Sequence, residues 1–512
     1  MLSIINSFGL SGLDGYSVKV EIDISRGMPN FDVVGLADMA IKEAKERVTS
    51  AIKNQLFDFP LSRITINLAP ADTKKEGSLY DLPISVGILS ATKQIFASPE
   101  KLGEMSFIGE LSLDGTLRKI RGVLPILITA RNLGIKKVVI PYGNASEAGF
   151  IEGMEVYPAK CLREVVDFIN GKTNIEPVKN LSYEVIKSHT KFSGDFSLIK
   201  GQASAKRALE IAAAGGHNVL LIGPPGSGKT MLSRALPSIL PDMTFEEALE
   251  VTKIHSIAGT LDSKVGILTE RPFRSPHHTS STVALTGGGS KVRPGEISLA
   301  HNGVLFLDEL PEYPRQAIEA LRQPLEDGVI TISRSAQTVE YPANFIMIAS
   351  MNPCPCGNYG SSKKPCKCSP SQIHKYLSKL SGPLMDRIDM YIEVDGVSYD
   401  DISTTASEEP SKDIKERVDK ARKIQTERFL SQKIFSNSKM TNSMIKQYCA
   451  LDEDSNAILQ QAFDSLKLTA RAYNRILKVA RTIADLDGSK NILPEHIIEA
   501  INYRSIDEKY WS

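Results

Sequence analysis

The stretch Asn218-Val-Leu-Leu-Ile-Gly-Pro-Pro-Gly-Ser-Gly-Lys-Thr230 decides the fold of this chain. Its apolar half, Val219 to Ile222, is bounded by turn residues and predicts a buried strand. The glycines that follow allow a tight bend, which turns successive backbone N–H groups towards an anion. Lys229 can then reach the β- and γ-phosphates of a nucleotide, and the Thr230 hydroxyl can bind Mg²⁺ at the start of the next helix. The pattern predicts a cradle for a nucleoside triphosphate such as ATP.

Composition limits the architecture and the class of partner. The chain has 512 residues, which is too long for one ordinary core and predicts about three domains. Because 61 Lys and Arg residues balance 60 Asp and Glu residues, any nucleic-acid surface must be a local patch. The amino terminus lacks the features of a signal peptide, and no apolar run approaches the ~18 residues of a membrane helix. We therefore expect a cytoplasmic protein.

Two further apolar runs end in polar residues. Val304-Leu-Phe-Leu-Asp-Glu309 ends in two carboxylates: Asp308 can hold the Mg²⁺ shell, and Glu309 can polarise the water that attacks the γ-phosphate. Ile346-Met-Ile-Ala-Ser-Met-Asn352 ends in a candidate γ-phosphate sensor, Asn352. With the cradle, this order resembles the ATPases of the AAA+ superfamily. The residues predicted to hold the nucleotide are Gly223, Pro224, Pro225, Gly226, Ser227, Gly228, Lys229, Thr230 and Asp308.

Residues 1–175 alternate short β-type runs with helix-like stretches, which is typical of an α+β or α/β domain. The segments Ile64-Thr-Ile-Asn-Leu-Ala-Pro-Ala-Asp72 and Gly109-Glu-Leu-Ser-Leu-Asp-Gly115 resemble the Lon-type protease domain in order and spacing, which implies a fold of the ribosomal S5 domain 2 type. The catalytic dyad is missing, because Leu79 and Leu124 stand where that family has its Ser and Lys. An apolar side chain can neither attack a peptide nor take a proton, so we predict another use, in ring assembly or substrate contact. Ser78, beside Leu79, leaves residual peptidase activity as the alternative.

The remaining boundaries follow from composition. Residues 176–195 are polar and irregular and predict a linker. Residues 196–395 are predicted to form the AAA+ core, and residues 396–512, which have helical periodicity, resemble the carboxy-terminal helical lid of magnesium chelatases. The fold class is thus predicted as multidomain α/β.

Two segments flank the catalytic strand. Thr282–Gly295 and Gly328–Glu340 resemble the helix-2 insert and the pre-sensor hairpin of a clade that includes magnesium-chelatase motor subunits and minichromosome-maintenance helicases. The second segment is also predicted to contain two short β-runs around a polar turn. The resemblance implies that both loops face the pore of a hexameric ring. Lys291, Arg293 and Arg334 are therefore candidate contacts to a DNA phosphate backbone, and ordinary solvated charges are the alternative.

Four of the six cysteines fall in one short segment: Cys354, Cys356, Cys366 and Cys368. A polar loop can fold back and bring two C-x-C pairs around one tetrahedral Zn²⁺, and four thiolates would make that ion structural. The commoner spacing is C-x-x-C, so free or redox-active thiols remain the alternative.

Ser381-Gly-Pro-Leu-Met-Asp-Arg-Ile-Asp389 resembles the arginine-finger segment of the clade. This implies that Arg387 reaches the γ-phosphate of a neighbouring subunit; a partner within the chain, Asp386 or Asp389, is the alternative. Arg471 matches the second sensor arginine of the clade, and Arg475 competes for that role.

Over nearly its whole length the chain resembles the magnesium-chelatase-like ComM/YifB family of bacteria. The resemblance implies an ATP-driven hexameric motor that acts on single-stranded or branched DNA, as a branch-migration helicase in natural transformation or homologous recombination, alongside recombination proteins. Three rivals stay open: a chelatase-type motor subunit, a protease or unfoldase, and a regulatory ATPase that works on a protein partner.

Overall fold

The computed structural model describes residues 1–187, 194–262, 265–289, 292–334, 337–360, 364–396, 408–432 and 434–511. Lys291 lies outside the described residues, and so does the side chain of Arg334. The chain divides into two compact units, one of Met1–His189 with Phe245–Thr269, the other of Thr190–Thr244 with Glu270–Ser512. Each has its own sheet, so the multidomain α/β class is confirmed.

The described part of the first unit contains a seven-stranded mixed sheet. Its strands are β1 (Leu2–Ser11), β2 (Asp14–Ser25), β3 (Asn30–Val34), β4 (Arg63–Ala69), β5 (Met105–Phe107), β6 (Lys137–Pro141) and β7 (Glu155–Ala159). They lie in the order β3-β4-β2-β1-β5-β6-β7. Strand β2 runs antiparallel to β1 and β4, and the other neighbouring pairs are parallel. Every second residue of β4 is buried, as expected for a strand with one face on a core.

Helices cover this sheet because their apolar residues need burial. In the helix Asp81–Ala91 all residues but one are buried, and Leu79 and Leu124 belong to the same core. The helices of the first unit are Met39–Lys42, Ala44–Asn54, Asp81–Ala91, Pro99–Gly103, Val123–Asn132, Ala145–Ala148, Leu162–Ile169, Tyr183–Lys187 and Phe245–Ala258.

The segment Phe245–Thr269 leaves the second unit and packs with the first, which the sequence did not predict. It follows the nucleotide cradle in the chain but clusters with the first unit. The Ser256 hydroxyl donates to the buried Glu147 carboxylate at 2.6 Å, and the Ser256 carbonyl accepts from the Gly122 N–H at 3.3 Å. Residues from within the predicted ATPase region of the sequence therefore form part of the first unit.

The second unit is built on a five-stranded sheet in the described residues. Its strands are β8 (Val219–Ile222), β9 (Phe273–Arg274), β10 (Val304–Leu307), β11 (Ile346–Met351) and β12 (Met390–Glu393). They lie in the order β9-β10-β11-β8-β12, and all neighbouring pairs are parallel. Strands β8 and β10 are fully buried, as expected where helices cover both faces. Ligands of such sheets bind at the carboxyl edge.

Two small hairpins and a set of helices complete the second unit. The hairpins pair Gly287–Gly288 with Arg293–Pro294 and Val329–Arg334 with Gln337–Pro342, so the β-runs predicted around a polar turn are confirmed. None of the described helices is long and apolar enough to cross a membrane. The helices are Ala203–Gly215, Lys229–Ala235, Thr282–Thr286, Glu296–Leu299, Arg315–Glu319, Arg322–Asp327, Pro370–Leu377, Gly382–Met385, Ser411–Arg428, Asn442–Tyr448, Glu453–Ser465, Ala470–Leu486 and Pro494–Trp511.

Candidate nucleotide-binding site

The cradle lies between the carboxyl end of β8 and the helix Lys229–Ala235. Gly226 and Gly228 have φ angles of 78° and 90°, a region where side chains are strained and glycine is favoured. At Gly223 a Cβ atom would lie 2.2 Å from the Val394 carbonyl oxygen, so no side chain fits there. The glycines predicted from the motif are thus required by backbone conformation and by space.

Lys229 is only 8% exposed at the base of this loop. Its Nζ donates to the carbonyl oxygens of Gly223 at 2.7 Å and Pro224 at 2.9 Å. Burial lowers the pKa of Lys229, and the carboxylates of Asp308 and Glu309 oppose this shift. The ammonium group is therefore fixed beside the loop, within the field of both acidic residues of the neighbouring segment.

The two predicted magnesium ligands meet. The Thr230 hydroxyl donates to Asp308 Oδ2 at 3.0 Å, although the two residues come from different strand ends. Ser350, near the end of β11, donates its hydroxyl to Asp308 Oδ1 and was not identified from the sequence. Hydroxyl and carboxylate oxygens are ligands that Mg²⁺ prefers, so this pair fits that ion.

Asn352 is also brought to the cradle. Parallel pairing of Ile222 with Met351 places the residues that follow each strand side by side. Asn352 Oδ1 lies 3.5 Å from Lys229 Nζ. A nucleotide phosphate bound to the lysine would therefore lie within reach of this amide.

Glu309 has an unexpected neighbour in His278. Its Oε2 lies 3.5 Å from His278 Nδ1, and its side chain is 53% exposed. His278 stacks on His277 with ring centroids 4.1 Å apart and meets the edge of Tyr313. Adjacent side chains usually diverge, so the sequence His277-His278 does not by itself indicate a site. The signal lies in the position of the pair, which follows β9, the strand beside β10.

We expect His278 to position Glu309 for its predicted role. In the variant His278→Gln the glutamate gains side-chain freedom, which costs about 1 kcal/mol, so kcat for ATP hydrolysis should fall roughly fivefold while ATP affinity stays unchanged. The matched control is His374→Gln, which alters an exposed histidine of the helix Pro370–Leu377. Equal kcat values for the two variants would contradict the assignment.

Four arginines and their carboxylates form an arginine cluster near the amino end of β12. Arg387 pairs with Glu326 and donates to the Pro383 carbonyl at 2.6 Å, so neither aspartate considered from sequence is its partner. Burial and the neighbouring guanidinium groups lower the pKa of Arg387. The ion pairs of this cluster are Arg322–Glu319, Arg387–Glu326, Arg471–Asp386 and Arg475–Asp389.

The cluster distinguishes the two sensor candidates. Arg475 is bound to Asp389, which is 3% exposed and also accepts from the Asn218 backbone N–H at 2.9 Å. Burial raises the pKa of Asp389, but Arg475, His217 and this N–H outweigh it and hold that pKa far below its usual range. Arg471 is 64% exposed and 3.2 Å from Asp386. Arg475 therefore has a structural partner, whereas Arg471 presents its charge to solvent.

Substitution separates these roles. Arg475→Ala leaves the Asp389 charge buried without its main partner, so we expect a loss of about 3 kcal/mol in the free energy of unfolding. Arg471→Ala breaks a surface pair worth about 0–1 kcal/mol and should instead lower ATP turnover. Chemical denaturation and ATPase assays on both variants measure this; a destabilised Arg471→Ala with normal turnover would reverse the assignment.

The cysteine cluster, Cys354, Cys356, Cys366 and Cys368, brings four Sγ atoms within 4.8 Å of one another. The Sγ atoms of Cys354, Cys356 and Cys366 are 3.4 to 3.6 Å apart. Ligands around a tetrahedral Zn²⁺ with ~2.3 Å Zn–S bonds are ~3.8 Å apart. The donor set fits zinc.

The two hairpins that carry the candidate DNA contacts lie against each other. The Tyr341 hydroxyl of the longer hairpin donates to the Val292 carbonyl at 2.6 Å, and a Cβ on Gly287 would lie 3.0 Å from Ile332 Cδ1. Arg293 is exposed. Arg334 is the last residue of its strand and pairs with Gln337.

Comparison with known families covers most of the chain. Family models match at residues 20–144 (subunit ChlI of Mg-chelatase), 195–402 (magnesium chelatase, subunit ChlI) and 408–504 (magnesium chelatase, subunit ChlI C-terminal). The match at residues 195–402 includes the cradle and both strands that end at Asp308 and Asn352.

Individual relatives extend over the full length. The chain is 44% identical over 511 residues to competence protein ComM of Haemophilus influenzae, covering 99% of this chain and 98% of the relative. It is 43% identical over 507 residues to the uncharacterised protein YifB of Escherichia coli, covering 99% and 97%. The magnesium-chelatase 38 kDa subunit of Cereibacter sphaeroides is 27% identical over 31% of this chain and 52% of its own length. The chain belongs to the magnesium-chelatase-like AAA+ family of ATPases, in the branch that contains ComM and YifB.

Proposed function

We propose that this chain is an ATP-driven, ring-forming DNA motor of the cytoplasm that acts as a branch-migration helicase in natural transformation or homologous recombination. A relative that covers nearly its whole length is named a competence protein. The proposal combines hydrolysis of ATP at the cradle with movement of the hairpins that carry Arg293 and Arg334.

One observation supports the assembly of subunits into a ring. The cradle follows the carboxyl end of β8, whereas Arg387 and Asp386, the partner of Arg471, precede the amino end of β12. Because β8 and β12 are parallel and in register from Val219 with Met390, these arginines lie at the opposite edge of the sheet. Four residues of strand separate the two edges by ~13 Å. Neither arginine therefore lies at the edge of the sheet that carries the cradle of its own subunit, and we infer that each reaches the nucleotide of a neighbour.

A head-to-tail contact of this kind forms a ring when the rotation between subunits closes, and we propose that it closes here as a hexamer. ATP would be held by Gly223–Thr230 of one subunit, and Mg²⁺ at Thr230 and Asp308 would neutralise charge on its phosphates. Glu309 would polarise the attacking water, Asn352 would contact the γ-phosphate, and Arg387 and Arg471 would approach from the neighbour. The partners of Arg387 and Arg471 within the chain, Glu326 and Asp386, would release them when the subunits assemble.

The regions outside the nucleotide site have proposed roles of their own. We propose that residues 1–175 have a Lon-protease-like fold without peptidase function, since Leu79 and Leu124 are buried and apolar. The Ser78 hydroxyl donates to the Glu110 carboxylate, so Ser78 stays the alternative nucleophile. We assign residues 176–195 to a linker. The AAA+ core predicted for residues 196–395 is assigned without Phe245–Thr269, which belongs to the first unit. The helices within 396–512 are assigned to a lid. The cysteine cluster would hold a structural zinc ion.

The decisive experiment measures the ATPase rate with and without forked DNA, together with strand displacement. Phosphate contacts from the hairpins predict DNA stimulation with little sequence preference and strong salt dependence. Arg293→Ala should weaken DNA binding and reduce the slope of log affinity against log salt by about one. Arg26→Ala, an exposed arginine of the first unit, is the matched control.

The outcomes separate the candidate functions. Stimulation with strand displacement, both abolished by Lys229→Ala, supports the DNA motor. An ATPase rate that is indifferent to DNA would move the assignment to a motor subunit or regulator that works on a protein partner.

A further inference from the structure

We propose that the cysteine loop, described over residues 354–360 and 364–368, is a strut that links the nucleotide cradle to the carboxy-terminal helix Pro494–Trp511, so that zinc retention and nucleotide binding are coupled. The inference rests on the ATP and zinc sites of the proposed function, but on neither DNA nor a ring.

One end of the strut lies against the cradle. Gly357 has a φ angle of 78°, and a Cβ on it would lie 2.5 Å from Cδ of Pro225 in the phosphate loop. Its N–H closes a turn on the Cys354 carbonyl at 2.9 Å. Cys354 is fully buried and follows Asn352 by two residues. A ligand of the cysteine cluster is thus joined by two short connections to residues that would surround the phosphates.

The other end lies against the carboxy-terminal helix. The Tyr359 ring meets Tyr510 edge to face, with centroids 6.2 Å apart. A Cβ on Gly360 would lie 3.8 Å from the end of the Lys509 side chain. Lys509 and Tyr510 both donate to Glu393 Oε1, at 2.5 and 2.7 Å. Glu393 pairs in register with Ile222, the last residue before the cradle.

Physical linkage follows from these contacts. A polar loop of this length has no apolar core of its own, and four ligands around one ion are what would fix its backbone. When zinc holds the loop in place, Gly357 already lies against the cradle and nucleotide binding orders no further backbone. Without zinc, nucleotide binding must also order the loop, and the lost conformational entropy lowers nucleotide affinity. If zinc raises nucleotide affinity by some factor, nucleotide must raise zinc affinity by the same factor.

The test measures the zinc affinity of the full-length protein by equilibrium competition with a coloured chelator, with and without a non-hydrolysable ATP analogue and Mg²⁺. We expect saturating analogue to raise the zinc affinity at least fivefold, the lower end of ordinary coupling, so that less zinc is released to the chelator. In Lys229→Ala the analogue should raise the zinc affinity much less. Equal zinc affinities with and without analogue in the unaltered protein would overturn the proposal, and so would absence of zinc after expression in zinc-supplemented medium.

The far end of the strut has its own reporter. The single tryptophan of the chain, Trp511, lies 5.8 Å from Tyr510 and 6.0 Å from Tyr391 between ring centroids. Nucleotide should change Trp511 fluorescence in the unaltered protein but not in Tyr359→Ala, which keeps all four cysteines. The matched control is Phe463→Ala, which removes another edge-to-face pair, with Tyr473, and should keep the response. An undiminished response in Tyr359→Ala would overturn the link to the helix.

These readouts separate failure of the strut from failure of the motor. A protein whose ATPase ignores DNA can still show nucleotide-dependent zinc release. A DNA-stimulated motor whose zinc release ignores nucleotide would overturn the strut alone.

Discussion

Replacing Arg387 by alanine is expected to leave ATP binding intact and to lower kcat for ATP hydrolysis by about 10³- to 10⁵-fold, the range found for arginine fingers. Arg387 lies at the amino edge of the parallel sheet, away from its own cradle, and is held by Glu326 within the chain. The Arg387 guanidinium would therefore stabilise only the negative charge that develops on a neighbour's γ-phosphate in the transition state. The affinity for ATP in the ground state should not change when Arg387 is removed. A fluorescent ATP analogue measures affinity and phosphate release measures turnover.

Mixing two inactive variants tests action between subunits. Arg387→Ala subunits keep an intact cradle, and Lys229→Ala subunits keep an intact finger, so mixed rings contain some interfaces with both. Activity should return on mixing. Arg387→Lys serves as a further control, because it keeps the charge but loses the planar, two-pronged donor and should remain strongly impaired. Normal turnover in Arg387→Ala, or mixed rings that stay silent, would contradict the proposed transfer between subunits.

Lys229→Ala is expected to weaken ATP binding and to lower turnover at least 10²-fold. The buried ammonium group of Lys229 lies within the field of Asp308 and Glu309. When ATP binds, the ammonium group would donate to phosphate oxygens in place of the Gly223 and Pro224 carbonyls, which forms a charge-assisted hydrogen bond. Such bonds contribute about 1.5–3 kcal/mol, so affinity should fall roughly 10- to 150-fold. Losing a donor that also stabilises the transition state lowers kcat by about 10²- to 10³-fold.

Isothermal titration with ATP and a steady-state ATPase assay measure both effects. Lys446→Ala removes an exposed lysine from another helix of the second unit and should match the unaltered protein in each. An unchanged affinity for ATP in Lys229→Ala would place the nucleotide elsewhere.

The local sequence predicts the structure best where function constrains consecutive residues. The strands that end at the cradle, at Asp308 and at Asn352 were each recognisable as an apolar run followed by a polar residue, and the structure has them as β8, β10 and β11. Parallel strands place their carboxyl ends at one edge, so the pairing of Thr230 with Asp308 followed from local patterns alone. The cysteine spacing likewise predicted a cluster, and the four Sγ atoms do converge.

Other features depend on contacts between distant parts of the chain and leave no local pattern. The helix Phe245–Ala258 carries no sign in its own residues that it completes the first unit. His278 acquires a candidate role only because its loop lies beside Glu309. The choice between Arg471 and Arg475 needed the buried position of Asp389, because both arginines lie on one face of the same helix.

The sequence by itself therefore determined which residues form the candidate nucleotide site, and the family. These are properties of residue type and spacing along a continuous segment. Only the tertiary structure decided which arginine is buried in an ion pair, which edge of the sheet carries Arg387, and that the cysteine loop touches both Pro225 and the last helix. Those properties arise from packing between residues far apart in the chain, where the geometry of the fold selects the partner.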